Sequence, residues 1–476
     1  MTDPLDLKGD TGLDPKDWDA FRKTAHRLLD QCIDQLANAR THPWQPLPEE
    51  VRAAYALSGA GSDEAAVAAR IARDILPYGT GNTHPGFFGW VHGTGLATGL
   101  LSEMAAATIN ANSGGRDHGA IYLERAVIDW AKQVLDFPAA ASGLLLAGTS
   151  QATVVALSAA RVAALGPSAR VQGNGAHRLK AYAGAGVHNA ARKAMEVLGL
   201  GSENLVLIPD MGAGIDISAL RAAIAQDRAA GATPFAIIGT AGSVDLGRFD
   251  NLNALADLAA DTGVWLHVDG AFGAWTRLAD APWRGLSDGI GRADSLACDF
   301  HKWMYVPYDC GMVLIRDEAA HRAAFAARPA YLAGQSGGLG GGEPWFCDYG
   351  IDLSRGNRAL KVWAAIETYG AVRLGAAITD NCRMAAFMGD LVTAPMRLMA
   401  PVVSNLCVFT ANATLLPEAQ SALNTRLAQA LQMEGVAVFS TTSLNGITCL
   451  RAAITNHRSR EGDILRAMAR LRELAA

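Results

Sequence analysis

From about residue 80 to residue 375, short apolar runs alternate with longer segments whose apolar residues recur every three or four positions. A buried parallel strand must be apolar on both faces, and a crossover helix on one stripe, so this alternation predicts a parallel sheet with helical crossovers. The predicted strands are 144–147, 178–183, 204–208, 235–239, 264–269 and 311–315. The predicted helices are 150–165, 188–199, 217–230 and 251–262, the last three closed by Gly201, Gly231 and Gly263. Glycine suits the left-handed residue that follows a helix. The fold class is therefore α/β, a mainly parallel sheet sandwiched by helices. Two segments flank the large domain at 80–375: an amphipathic helical arm at 1–79 and a small α+β domain at 376–476. The latter combines a long helix at 375–392, strands near 403–410 and 447–453, and a basic terminal helix.

Composition narrows the function. Half of the 476 residues are hydrophobic and 18% are charged, enough apolar material for a large core. A net charge of -5 gives no basic footprint for nucleic acid. Seven cysteines without a CxxC pair predict reduced thiols in a cytoplasmic protein. The acidic N-terminus has no basic and apolar leader, and no apolar run reaches the length of a membrane span. The nearest, residues 95–111, is interrupted by Ser102 and Glu103 and reads as a buried helix.

The chemistry concentrates at strand ends. VWLHVDGAFGAW at 264–275 ends a strand on Asp269, and DSLACDFHKWM at 294–304 carries His301 and Lys302. An acid at the carboxyl end of a parallel strand faces the crevice where ligands bind. A carboxylate beside a lysine suits a pyridine-type cofactor: the acid holds the ring nitrogen protonated and the amine holds the aldehyde carbon. Burial is expected to depress the Lys302 pKa. A neighbouring cation is expected to lower that of Asp269 by about 1–3 units. His267, two residues before Asp269, is assigned to the core, and no ligand spacing supports a metal. Gly148, Thr149 and Ser150 follow an apolar strand and open a helix, which makes a helix cap and an anion site at once. Gly184-Ala185-Gly186 begins like a dinucleotide fingerprint, but Asn189 stands in place of its third glycine.

HVDGAFG, DS, HKW and PYDCG, in that order, resemble the group II pyridoxal-phosphate-dependent amino-acid decarboxylases of fold type I, the aromatic-L-amino-acid decarboxylases among them. The resemblance implies pyridoxal 5′-phosphate as cofactor, conversion of an L-amino acid to an amine and CO2, and a homodimer with shared sites. The arm would pack on the second subunit. The resemblance gives Lys302 the cofactor's aldehyde, Asp269 its ring nitrogen, and His188 a stacking role over the ring. Thr240, Ala271 and His301 would line the ring, and Gly148, Thr149 and Ser150 would take the phosphate. Tyr331, before a glycine-rich loop at 334–342, would deliver the proton that replaces the carboxylate. Relatives that release aldehydes often carry phenylalanine there, so oxidative deamination is the alternative outcome. Two departures stand out. The family often reads N-P-H-K where this chain reads Asp299-Phe300-His301-Lys302, and an aspartate near a phosphate is unfavourable. Trp90, His92, Asn110, Asn112, Arg116 and His118, with Arg355 at the rim, form a polar substrate-side set that suits a polar or acidic side chain.

Overall fold

The computed structural model describes residues 12–57, 59–210, 212, 214–327 and 337–476. The chain divides into two compact units, 1–84 and 85–476. In the first, α1 (Trp18–Ala37) starts at Asp17, whose carboxylate accepts the Asp19 and Ala20 N–H groups. Two short helices follow, α2 (Glu49–Ala53) and α3 (Glu64–Arg70). Tyr55 donates to the Asp74 carbonyl and Arg70 to the Ala54 carbonyl, which ties the unit together. No residue of these three helices is buried.

The second unit runs β1 (Phe87–Phe88), α4 (Thr98–Ile109), α5 (Gly119–Val134), β2 (Ser142–Leu146), α6 (Thr149–Leu165), α7 (Ala169–Gln172), β3 (Leu179–Gly184), α8 (Asn189–Val197), β4 (Leu205–Ile208), α9 (Ile217–Ala229), β5 (Thr233–Thr240), α10 (Leu252–Thr262), β6 (Trp265–Asp269), β7 (Ser295–Asp299), β8 (Gly311–Ile315) and α11 (Glu318–Phe325). It ends with α12 (Ala359–Asp390), β9 (Arg397–Leu398), β10 (Leu406–Thr410), α13 (Pro417–Met433), β11 (Val438–Leu444), β12 (Ile447–Ala453) and α14 (Glu461–Ala475).

The large sheet has the order β2-β8-β7-β6-β5-β3-β4. Strands β7, β6, β5, β3 and β4 are parallel, and β8 runs antiparallel to both of its neighbours. The reversal has a simple cause. Residues 300–310 carry no helix, and a parallel return needs a crossover of a dozen or more residues. β7 was absent from the predicted strands because SLACD carries only two aliphatic residues, Leu296 and Ala297. Helix α6 lies on the sheet through Ala152, Val155, Ala156 and Ala159, small residues that let helix and sheet approach closely.

The small sheet has the order β1-β11-β12-β10-β9. Phe87 and Phe88, far earlier in the chain, pair in parallel with Val438 and Phe439. Its core is Phe88, Phe409, Phe439, Leu427, Leu450 and Met468. Helix α12 starts well before the predicted 375, and its 32 residues bend at Gly370, where φ is +64°. The stretch at 95–111 is a helix as expected, but not a buried one. Leu101, Met104 and Ile109 are all exposed, because only one side of α4 meets the protein.

Candidate active site

The site stands at the carboxyl ends of β5, β6 and β7, which finish on Thr240, Asp269 and Asp299. Register sets Thr240 beside Asp269, and Asp269 beside Ala297. Asp269 is buried; its carboxylate accepts the Ala271 N–H at 3.1 Å, and its carbonyl accepts the Ala241 N–H at 2.8 Å. Thr240 is fixed from behind, its N–H donating to Asp250 at 2.7 Å. His267 shares the Asp269 face of β6, as residues two apart in a strand do, but is fully buried and hydrogen-bonded to Ser295 at 2.9 Å.

Opposite these strand ends lies the tip of α6. Gly148 precedes the helix, and the Thr149 N–H donates to Asp299 at 2.7 Å. The Thr149 hydroxyl is buried with no hydrogen-bond partner, whereas Ser150 is exposed. The other Asp299 oxygen accepts the Lys302 ammonium at 2.8 Å. Close packing shapes this cup. A Cβ on Gly93 would lie 1.8 Å from the His301 carbonyl oxygen, and one on Gly311 would lie 2.5 Å from the Gly148 Cα.

Both pKa expectations are corrected. Burial raises the Asp269 carboxyl pKa, and the opposing pull of Lys302 and then His188 does not cancel it. For Lys302, burial pulls downward, but Asp299, supported by Asp269 and Tyr308, outweighs it and raises the pKa. One cation beside Asp269 and burial of Lys302 were the only influences visible in the sequence. The pairing of Lys302 with Asp299 was not.

His188 caps α8, its Nδ1 accepting the Ala190 N–H at 3.2 Å, within electrostatic reach of Asp269. His301 accepts the Cys310 N–H at 3.1 Å, and its ring lies 4.4 Å from that of Tyr308. Tyr308 feels the charge of Lys302 and takes the Gly93 N–H at its hydroxyl. It was not singled out from sequence, although it lies inside PYDCG. His92 packs between Phe87, Trp90 and Tyr308 at 5.7–5.9 Å. Burial, and then Lys302, holds the His92 pKa down.

Arg355 and Asn112 of the substrate-side set are corrected. Arg355 is no rim residue: its guanidinium is buried, bonded to Glu124 at 2.5 and 3.2 Å and to the Ser113 and Leu145 carbonyls. Asn112 is used by its own turn, accepting the Gly114 and Arg355 N–H groups. Asn110 ends α4 in the left-handed conformation. Tyr331 lies outside the described residues. Also unforeseen is Asn381, which accepts from Trp303 at 3.0 Å and Tyr305 at 2.8 Å and so anchors the segment after Lys302. A cavity of about 820 Å³ reaches Asn381, Arg373, His457 and Arg460, but none of the side chains around Lys302 lines it.

Residues 48–411 match the family model described as the pyridoxal-dependent decarboxylase conserved domain. The chain belongs to the pyridoxal-dependent decarboxylase family. It is similar to aromatic-L-amino-acid decarboxylase of Bacillus atrophaeus, 30% identical over 470 residues that cover 96% of this chain and 95% of that protein. It is 28% identical to L-2,4-diaminobutyrate decarboxylase of Rhizobium meliloti (strain 1021), covering 94% and 90% of the two chains. The crystal structure of Catharanthus roseus tryptophan decarboxylase in complex with L-tryptophan superposes with a TM-score of 0.84 at 25% identity, covering 97% and 99%. The decarboxylase family's cofactor is pyridoxal 5′-phosphate, and the residues here fit it. An unpartnered buried hydroxyl at a helix tip suits the phosphate, a buried acid suits the ring nitrogen, and the Lys302 amine, paired with Asp299, lies within electrostatic reach of that acid.

Proposed function

We propose that this pyridoxal-dependent decarboxylase converts an L-amino acid to the corresponding amine and CO2, in a homodimer whose subunits share their active sites. The observation that carries the reading is the convergence of Asp269, Lys302 and the α6 tip on one crevice. When bound, the cofactor's protonated ring takes up the electron pair left behind as the substrate carboxylate departs as CO2. Asp269 keeps the proton on the ring nitrogen. Gly148, Thr149 and Ser150 hold the phosphate, while Thr240, Ala271 and His301 border the ring. His188 would cover the ring face, and Lys302 would hold the aldehyde carbon. Tyr331 then supplies the proton to the α-carbon, as the family resemblance implies.

With Arg355 and Asn112 committed elsewhere, the substrate's side chain meets Trp90, His92 and Tyr308. That trio favours a flat or aromatic side chain with one hydrogen-bonding group over an acidic one. The exposed apolar face of α4 and the helices of the arm at 1–79 supply surface for a second copy. Seven cysteines that form no disulfide accord with a reducing, cytoplasmic setting, and no helix among the described residues is long and apolar enough to cross a membrane.

The test is a panel of L-amino acids incubated with the protein and cofactor, scored for CO2 and amine. One substrate class yielding both in equal amounts is expected, with Lys302→Ala inactive and Tyr331→Phe shifted toward aldehyde. Aldehyde, ammonia and peroxide from the native protein would replace this reading with oxidative deamination.

A further inference from the structure

The cup at the α6 tip contains a fixed carboxylate where a phosphate is to be held. Asp299 closes β7 there. One of its oxygens accepts the Thr149 N–H at 2.7 Å and the other the Lys302 ammonium at 2.8 Å. Its side chain is 2% exposed. A Cβ on Gly311 would meet its Oδ1 at 2.6 Å and one on Gly148 at 3.5 Å, so backbone closes around it. The carboxylate has no room to swing aside. The Thr149 hydroxyl at the same tip is buried and unpartnered, which marks the place as built for a further acceptor.

Five titratable groups face Asp299: Lys302 at 2.8 Å, His301 with Nε2 at 3.7 Å, and, within electrostatic reach, Asp269, Cys298 and Tyr308. Lys302 is the cation among them, and its amine is the group required at the cofactor's aldehyde. Burial holds the His301 pKa down, so it is a poor substitute. Two anions sharing one site, with their counter-ion drawn away, retain a proton between them.

We propose that Asp299 couples cofactor entry to proton uptake, one proton being held between the Asp299 carboxylate and an oxygen of the cofactor's phosphate. The proton comes from solvent, and only an O–H bond is made. The inference rests on the cofactor reading given above.

The probe is 4′-deoxypyridoxine 5′-phosphate, which lacks the aldehyde, and the parent protein is Lys302→Met, which takes the ammonium away from Asp299 as bonding of the amine to the aldehyde would. Its affinity is measured by calorimetry from pH 7 to pH 8.5 in buffers of differing ionisation heat, beside unphosphorylated 4′-deoxypyridoxine. In the parent the phosphorylated probe is expected to weaken by up to about tenfold per pH unit relative to the unphosphorylated one, with close to one proton taken up. With Asp299→Asn added, that difference is expected to vanish, and the phosphorylated probe to bind about tenfold more tightly at pH 8. Identical pH slopes with and without Asp299→Asn, or for both probes, overturn the proposal. Should the double variant fail to fold, the comparison of the two probes in the parent decides alone. If neither probe binds native protein, the cofactor reading itself falls.

Discussion

Arg355 offers a clean separation between holding the fold and holding the substrate. Its guanidinium makes four hydrogen bonds, two of them to Glu124, and both side chains are at most 1% exposed. Arg355→Met would leave Glu124 buried with the Leu145 N–H at 3.0 Å as its remaining hydrogen bond. Removing one partner of a buried pair costs about 3–5 kcal/mol, because the stranded charge keeps its desolvation penalty. Replacing both, in Arg355→Met with Glu124→Leu, removes the charge as well, so the double variant should recover most of the loss. Arg355→Lys should recover little, since one ammonium cannot reproduce a two-pronged contact. Denaturant midpoints of native protein, Arg355→Met, Glu124→Leu and the double variant would measure the cycle, with Arg355→Lys beside them and KM followed in parallel. A single variant as stable as native, but with KM raised tenfold, would return Arg355 to the substrate rim and refute the structural reading.

Three shorter predictions concern the walls of the site and the core. Gly93→Ala forces a Cβ to within 1.8 Å of the His301 carbonyl, whereas Gly119→Ala meets nothing within 4 Å. The first should lose cofactor affinity in an absorbance titration, and the second should keep it. Asn381→Leu strands the buried Trp303 and Tyr305 donors at a cost of about 2–4 kcal/mol, readable as a lowered denaturant midpoint. Acid should destabilise the chain well above the carboxylate range. Burial lowers His267 to about 4, and His321 and His457 to about 3. The unfolded chain therefore binds more protons than the folded one as pH falls from 6.5 toward those values, and stability is lost in that window. At pH 5 each of the three contributes about 2 kcal/mol of loss. Unfolding in urea at pH 7 and pH 5 checks this, and His321→Gln should reduce the loss between them by about 2 kcal/mol.

How much of this was legible in the sequence depended on whether a signal was local. Strands β2 to β6 and β8, and helices α6, α8, α9 and α10, announced themselves through apolar period, with a terminal glycine after the last three helices. Asp269 stood out because it closes an apolar run, and Lys302 because it stands beside His301 and Trp303 in the segment that resembles the family. The α6 tip was readable because a helix cap and an anion site need the same residues. What failed was non-local. Nothing near Arg355 in sequence signals Glu124, 231 positions earlier, so a buried ion pair passed for an exposed rim charge. The polarity of Asn112 was real, but it serves a turn. β7 broke the apolar pattern because its own site residue, Asp299, sits inside it. Asn381 and Trp303 meet across 78 positions.

The same non-local pairing explains why Asp269 departs from expectation, and it yields a further test. Its expected counter-ion, Lys302, is 2.8 Å from Asp299 instead. Asp269 is left buried with one backbone hydrogen bond and no ion pair among the described residues. Such an acid is a cost to the fold that a cationic ring nitrogen would offset. Asp269→Asn should therefore leave the melting temperature of the protein without added cofactor unchanged or higher, since it removes an uncompensated charge. It should also shrink the rise in melting temperature that pyridoxal 5′-phosphate produces, because binding stabilises in proportion to affinity. If the variant melts lower without cofactor and gains as much from it as native protein does, Asp269 is a structural acid and does not hold the ring.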